Sequence, residues 1–239
     1  MSVPVMEGWE RKSGNYRNPG RIDIDALKDE LDDFVEGEVH FDFTYRSLYS
    51  TDASNYRQIP IGVIIPKNIE DVVRVHEVAR RFGAPVVGRG GGTSLAGQCC
   101  NVALVIDYSK HVNKALEVDA EKKRARVQPG LVLDHLNHAT AAEHSLIFGP
   151  DPSTHSHCTF GGMIGNNSCG VHSIMAGRTQ DNVEEMEVVT HDGVRMRVGP
   201  TSEEELERII AEGGRRGEIY KGLKEIRDQY GDLIRERYP

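Results

Sequence analysis

Val86-Val87-Gly88-Arg89-Gly90-Gly91-Gly92-Thr93-Ser94-Leu95-Ala96-Gly97-Gln98 decides how this 239-residue chain is read. An apolar run enters consecutive glycines, and two hydroxyl side chains follow. Glycine allows positive φ and close approach of a backbone to a ligand. Successive N–H groups in such turns form anion-binding nests. Thr93 and Ser94 add hydroxyl donors. A pyrophosphate is the natural ligand, and a tight structural turn is the alternative. Two familiar phosphate loops do not fit. Gly92–Gly97 has the Walker spacing, but Gln98 replaces the lysine and Cys99 the Ser/Thr. For a dinucleotide fingerprint, Gly88 and Gly90 align, but Thr93 stands where the third glycine belongs. Asp107 lies where a ribose-binding acid would be, yet residues 94–102 are too short for a crossover of at least about 10–12 residues.

The glycine cluster sits inside an α/β unit. Ile61–Ile65 reads as a buried strand. Pro66-Lys67-Asn68 starts a helix with Ile69, Val72, Val73, His76, Ala79 and Phe82 on one side, and Gly83 ends it. Ala84–Val87 and Ala103–Asp107 read as strands on either side of the cluster. Upstream, residues 1–20 look like a polar arm, and Asp23–Val35 has helical spacing at Ile24, Leu27, Leu31, Phe34 and Val35. Residues 40–60 read as loops and short turns.

Downstream, Ala115–Asp119 and Arg124–Gln128 read as two strands, and Leu131–His144 as a helix. Residues 145–180 are rich in Gly, Asn, Ser, His and Cys, with few helix or strand signals. A loop-like segment this long inside a compact domain is usually functional. Glu185–Thr190 and Val194–Val198 form a hairpin around Asp192-Gly193. Ser202 and Glu205 make a capping box for a helix to about Glu212. The last helix, about Arg216–Arg237, carries Ile219, Leu223, Ile226, Tyr230, Leu233 and Ile234 on one face. It reaches the end of the sequence, which points to a chain cut at a domain boundary or one that continues.

Composition narrows the classes. Lys+Arg is 29 and Asp+Glu 37, a net charge of −8, with no basic block for nucleic acid. No apolar run approaches the ~18 residues of a membrane span, and the N-terminus lacks a signal-peptide core. Neither nucleic acid nor direct membrane insertion is expected. Four cysteines, Cys99, Cys100, Cys158 and Cys169, are too few for a disulfide scaffold and read as reduced thiols of a cytoplasmic protein. Cys99 and Cys100 read as small buried fillers. His155, His157, Cys158, Cys169 and His172 supply enough ligands for zinc, but their spacing matches no standard site, so no metal is assigned.

Three motifs in order resemble the FAD-binding (PCMH-type) domain of the vanillyl-alcohol oxidase/p-cresol methylhydroxylase superfamily. They are Arg89–Gly97, then Pro150-Asp151-Pro152-Ser153 with Cys158–Gly170, then Gly177–Val189 with Asp192-Gly193. The likeness covers roughly residues 45–200. Within the superfamily it is nearest to FAD-linked D-2-hydroxyacid dehydrogenases of the D-lactate dehydrogenase, glycolate oxidase FAD-subunit and D-2-hydroxyglutarate dehydrogenase types. The resemblance implies an α+β, two-lobed FAD-binding domain. A small parallel-containing sheet with helices spans about 40–108. A larger, mainly antiparallel sheet flanked by helices spans about 109–239. Residues 1–39 form an arm and helix, and the substrate domain that follows in relatives is absent from this sequence.

The resemblance also implies residue roles. Gly90, Gly91, Gly92, Thr93 and Ser94 hold the FAD pyrophosphate, with Arg89 opening the loop and Gly97 and Gln98 closing it. Pro150, Asp151, Pro152 and Ser153 line the ribityl chain and ring, with Thr159, Gly161, Gly162, Ile164, Gly165, Asn166, Asn167 and Gly170. Val183 or Val188 offers backbone groups to adenine. The histidine that attaches flavin in some members corresponds to Thr93, which implies non-covalent FAD. The reaction implied is oxidation of a D-2-hydroxy acid to a 2-oxo acid, with an iron–sulfur region or subunit as one class of electron acceptor. Catalytic residues are not assigned. The alternatives are an FAD-binding subunit active only with a partner chain, or a metal- or phosphate-binding protein without redox function.

Overall fold

The computed structural model describes residues 22–238; the arm expected at 1–20 lies outside them. Asp23 caps helix α1 (Ile24–Phe34), its carboxylate accepting from the Ala26 N–H at 3.1 Å. Strand β1 (Glu38–His40) and helix α2 (Phe43–Leu48) follow. Residues 40–60 are therefore not all loop. Asp42 nucleates α2 by accepting from the N–H groups of Thr44 and Tyr45, and such a cap stabilises by about 1 kcal/mol.

The α/β unit forms as its punctuation dictates. Strand β2 (Gly62–Ile65) is buried along its length. Asn68 caps α3 (Ile69–Phe82) through the Asp71 N–H at 2.9 Å, and Gly83 closes it in the left-handed region at φ 66°. Strands β3 (Val86–Arg89) and β4 (Leu104–Asp107) complete a sheet of order β1-β2-β4-β3. β2 and β3 each run parallel to β4, and β1 is an antiparallel edge. The core between this sheet and its helices contains Leu27, Leu31, Ile64, Val75, Leu104 and Ile106, each at most 1% exposed. Two of these, Leu27 and Leu31, come from α1. The boundary expected at 39/40 thus falls inside β1, and α1 packs into this lobe.

The second half contains a β5–β6 ribbon (Ala115–Asp119, Arg124–Val127), α4 (Leu133–His144) and α5 (Phe160–Asn166). A single turn, α6 (Ser173–Ala176), and a 3-10 turn at Thr179–Asn182 follow. A β7–β8 hairpin (Met186–Val189, Arg195–Val198), α7 (Glu203–Glu212) and α8 (Gly214–Arg237) end it. The mixed α+β architecture agrees with expectation. In detail, the antiparallel strands of the second lobe form two separate two-stranded ribbons rather than one larger sheet. Their strands are short, and β5 leaves an apolar face exposed at Leu116 and Val118. Charge joins the ribbons instead: Arg124 pairs with Glu184 at 2.9 Å and Arg126 with Glu185 at 3.0 Å.

Candidate functional site: two glycine motifs around one cleft

β3 delivers the chain to the glycine cluster. Arg89 O accepts from Tyr108 N–H at 3.1 Å, the last rung before the ladder ends. Beyond it, among the described residues, the backbone N–H groups of Gly90 through Leu95 donate to no protein acceptor. Of these residues Ser94 is buried while Gly91 and Leu95 are exposed, so the run faces outward with its donors open to water or a ligand.

The second motif is stitched into position by backbone bonds. Leu133 N–H donates to Cys158 O, Phe160 N–H to Leu131 O and Gly161 N–H to Pro129 O, at 2.9–3.1 Å. This registers Thr159 opposite the glycine cluster. The approach is too close for any side chain at Gly90 or Gly91. A Cβ on Gly90 would lie 2.0 Å from Thr159 Oγ1, and one on Gly91 2.1 Å from the His157 carbonyl oxygen. Thr159 is 2% exposed, and its hydroxyl has no hydrogen-bond partner among the described residues. An orphaned buried hydroxyl beside free backbone donors fits a phosphate or sugar ligand, which offers several acceptor oxygens.

A cavity of about 200 Å³ occupies this junction. Of the residues expected at the site, Gly90, Gly91, Gly92, Thr93, Ser94, Gln98, Thr159, Gly162 and Asn166 line it. Met163, inside the expected stretch 159–167, lines it too, and Leu95, Cys99, Thr154, Cys158 and Ser168 line it without having been expected there. Their signal in the sequence is only adjacency to the glycines. Cys99 therefore faces the cleft rather than filling the core, its thiol 3.6 Å from Ser94 Oγ; Cys100 is buried as expected. Burial pushes the Cys158 thiol up from its ordinary range, so it stays protonated at neutral pH.

The other expected residues stand around this junction in different ways. Arg89 turns under the loop, donating to Thr51 O at 2.9 Å with its guanidinium 5.2 Å from the Tyr49 ring centre. It brings a positive charge beneath Gly92 without entering the cleft. Gly97 is in the left-handed region and packs on Tyr56. Gly161 and Gly170 make room for protein backbone: a Cβ would meet Pro129 in the first case and the Asp151 carbonyl oxygen at 2.0 Å in the second. Asn167, at φ 46°, uses its amide on Gln180 in both directions, at 2.8 and 3.0 Å. Ile164 is partly exposed and Gly165 has open space around it. Pro150, Asp151, Pro152 and Ser153 do not line the cavity; Asp151 holds His172 Nδ1 at 2.6 Å and the His172 N–H at 2.9 Å. These bonds draw its carboxyl below the usual range. Val183 ends the 3-10 turn and Val188 lies in β7; neither lines the cavity.

The His/Cys constellation is divided. His155 bonds Asp134 at 2.8 Å, His172 bonds Asp151, Cys158 is buried and Cys169 is exposed. Among the described residues no three His, Cys, Asp or Glu groups converge for a metal. A larger cavity, about 560 Å³, lies between α1, α3 and the β7–β8 turn. Its guanidinium groups are already engaged: Arg74 with Asp71, Arg80 with the Asp192 carbonyl and Arg81 with Glu30.

Comparison with known proteins agrees with this geometry. Residues 60–199 match the family described as an FAD binding domain. D-2-hydroxyglutarate dehydrogenase of Pseudomonas putida is 36% identical over 209 residues, covering 85% of this chain and 20% of that protein. Glycolate oxidase subunit GlcD of Bacillus subtilis is 36% identical over 170 residues, covering 69% of this chain and 36% of that protein. The chain thus spans about a fifth to a third of the length of these relatives. In fold it is similar to an alkyldihydroxyacetonephosphate synthase, with TM-score 0.66 and 22% identity, covering 76% of this chain and 36% of that one. A carbohydrate oxidase from Microdochium nivale gives TM-score 0.64 and 19% identity, covering 76% and 38%. With its two glycine motifs facing one cleft, the chain belongs to the FAD-binding domain family.

Proposed function

We propose that the chain is the FAD-binding portion of a flavin-dependent oxidoreductase that converts a D-2-hydroxy acid of the lactate, glycolate or 2-hydroxyglutarate class to a 2-oxo acid. The observation that carries the site is the run of unengaged N–H groups from Gly90 to Leu95 beside the orphaned Thr159 hydroxyl. Glycolate and 2-hydroxyglutarate rest on the two relatives named above, and lactate on the motif resemblance. When bound, FAD would supply the redox chemistry of hydride acceptance and onward electron transfer.

The chain's residues bind and orient. Gly90, Gly91, Gly92, Thr93 and Ser94 present donors to the pyrophosphate, and the Arg89 charge lies beneath them without an intervening lysine. Thr159, Gly162 and Asn166 form the facing wall. Pro150–Ser153, Gly161, Ile164, Gly165, Asn167 and Gly170 shape the ribityl and ring side from behind that wall. Val183 or Val188 offers backbone to adenine. Thr93 is not a nucleophile for flavin, so the cofactor is held non-covalently. We assign to this chain neither the base for the substrate hydroxyl proton nor the cation for its carboxylate. An iron–sulfur region or subunit is the proposed class of acceptor. All four cysteines are free, which supports a cytoplasmic setting, and no helix among the described residues is long and apolar enough to cross a membrane.

The test is a fluorescence titration of the apo chain with FAD, followed by turnover assays with D-lactate and D-2-hydroxyglutarate. Saturable FAD binding with little or no turnover is the expected result. Absence of FAD binding overturns the proposal, and efficient turnover overturns the view that substrate groups lie outside this chain.

A further inference from the structure

We propose that the hydrogen bond between Gln98 and Asn166 is a latch across the mouth of the cleft, and that its opening controls how fast FAD enters. The inference rests on FAD binding at this cleft. Gln98 Nε2 donates to Asn166 Oδ1 at 3.2 Å, linking residues 68 apart in sequence. Both side chains line the cavity, so the bond ties the first glycine loop directly to α5. Among the described residues no other side-chain hydrogen bond joins these two segments. The cavity beneath is about 200 Å³. Gln98 and Asn166 line it from its two walls, so the bond between them narrows it, and opening the bond widens the approach to the Gly90–Leu95 donors.

The two halves of the latch differ in freedom. Gly92 at φ 65° and Gly97 at φ 78° bracket the segment leading to Gln98. Between them Leu95 is 78% exposed, and the N–H groups of Thr93, Ser94 and Leu95 are unengaged. The Ala96 N–H donates to Gln98 Oε1 at 3.3 Å, which leaves the amide NH₂ aimed at Asn166. Asn166 is the fixed half. It is the last residue of α5, and its neighbour Asn167 is bonded twice to Gln180. The loop backbone is tied at its ends, where Gly92 O accepts from the Ala53 N–H at 3.0 Å and the Cys99 N–H donates to Asp52 at 3.4 Å, so the freedom to open the bond lies in the exposed Gln98 side chain.

Stopped-flow quenching of FAD fluorescence tests this on the apo chain, comparing wild type with Gln98→Ala, Asn166→Ala and the double variant. Both side chains are exposed, and thermal melts check that each variant folds. A neutral hydrogen bond sets the scale of the effect: each single change raises the association rate about two- to tenfold. The double variant is no faster than the singles, because they remove the same bond. Wild-type association rates in both alanine variants overturn the latch, as do effects that multiply in the double variant. A change confined to dissociation overturns it too, since that marks contacts made only in the complex. Any of these with normal wild-type binding leaves the FAD site standing; failure of wild type to bind FAD overturns both.

Discussion

Thr159 carries the most specific signal at the residue scale. A buried hydroxyl without a partner destabilises the protein that holds it, because its desolvation is uncompensated. Thr159→Val removes that hydroxyl and keeps the shape. The apo chain is expected to be as stable as wild type or more so, while FAD affinity falls about 10- to 150-fold, the scale of a lost hydrogen bond to a charged group. Melting curves and an FAD titration on the same samples check both halves; lower apo stability with unchanged affinity would make Thr159 an ordinary packing residue. Gly90→Ala acts in the opposite sense on the apo chain. Its methyl meets Thr159 Oγ1 at 2.0 Å, so one segment must shift. We expect a loss of about 1–3 kcal/mol on denaturant unfolding, typical of overpacking, together with weakened FAD binding. Gly165→Ala, inside α5 with open space around the site, is the matched control and raises stability by up to about 1 kcal/mol.

At the scale of elements, legibility followed local chemistry. α3 was readable because its ends are written in single residues: Asn68 caps it and Gly83 terminates it. Asn68→Ala is therefore expected to cost about 1 kcal/mol in chemical denaturation, and Asn68→Asp far less. α2 and α5 were not readable. The core of α2, Phe43-Thr44-Tyr45, is aromatic and β-branched, a poor helix sequence stabilised by Asp42. α5 carries three glycines in seven residues, each unfavourable by about 1 kcal/mol relative to alanine. Backbone bonds from Phe160 and Gly161 to residues 129–131 hold it, and these are invisible from local pattern. In α8 the apolar spacing gave the helix, but not what covers it. Its start packs on α7 through Tyr220, while Leu223, Ile226, Tyr230, Leu233 and Ile234 are 42–59% exposed.

At the scale of the whole molecule, two phenols under the glycine strand link stability to pH. Burial pushes Tyr108, packed below Gly88, up to about 12. Tyr49 is also raised, by burial first and then by its 2.5 Å bond to the Asp107 carboxylate. A raised acid holds its proton longer in the folded state than in the unfolded chain, whose tyrosines ionise near 10. Their contribution is complete below about pH 10 and is lost as pH rises towards 12. Tyr108→Phe is expected to flatten the fall in melting temperature across that range; an unchanged fall would remove Tyr108 as its source. Of the site, the sequence made both glycine motifs legible, because free backbone donors need glycine. It did not show which glycines serve a ligand and which serve packing, since Gly161 and Gly170 differ from Gly90 only in their neighbours in space.

The central claim is that these two motifs close around non-covalent FAD. A visible absorption spectrum of the purified chain supplied with FAD, taken before and after denaturation and filtration, tests it directly. The account predicts flavin bands that stay with the folded protein and pass entirely into the filtrate once it is unfolded. Flavin retained on the denatured chain would contradict the non-covalent assignment, and a colourless protein in excess FAD would contradict the site itself.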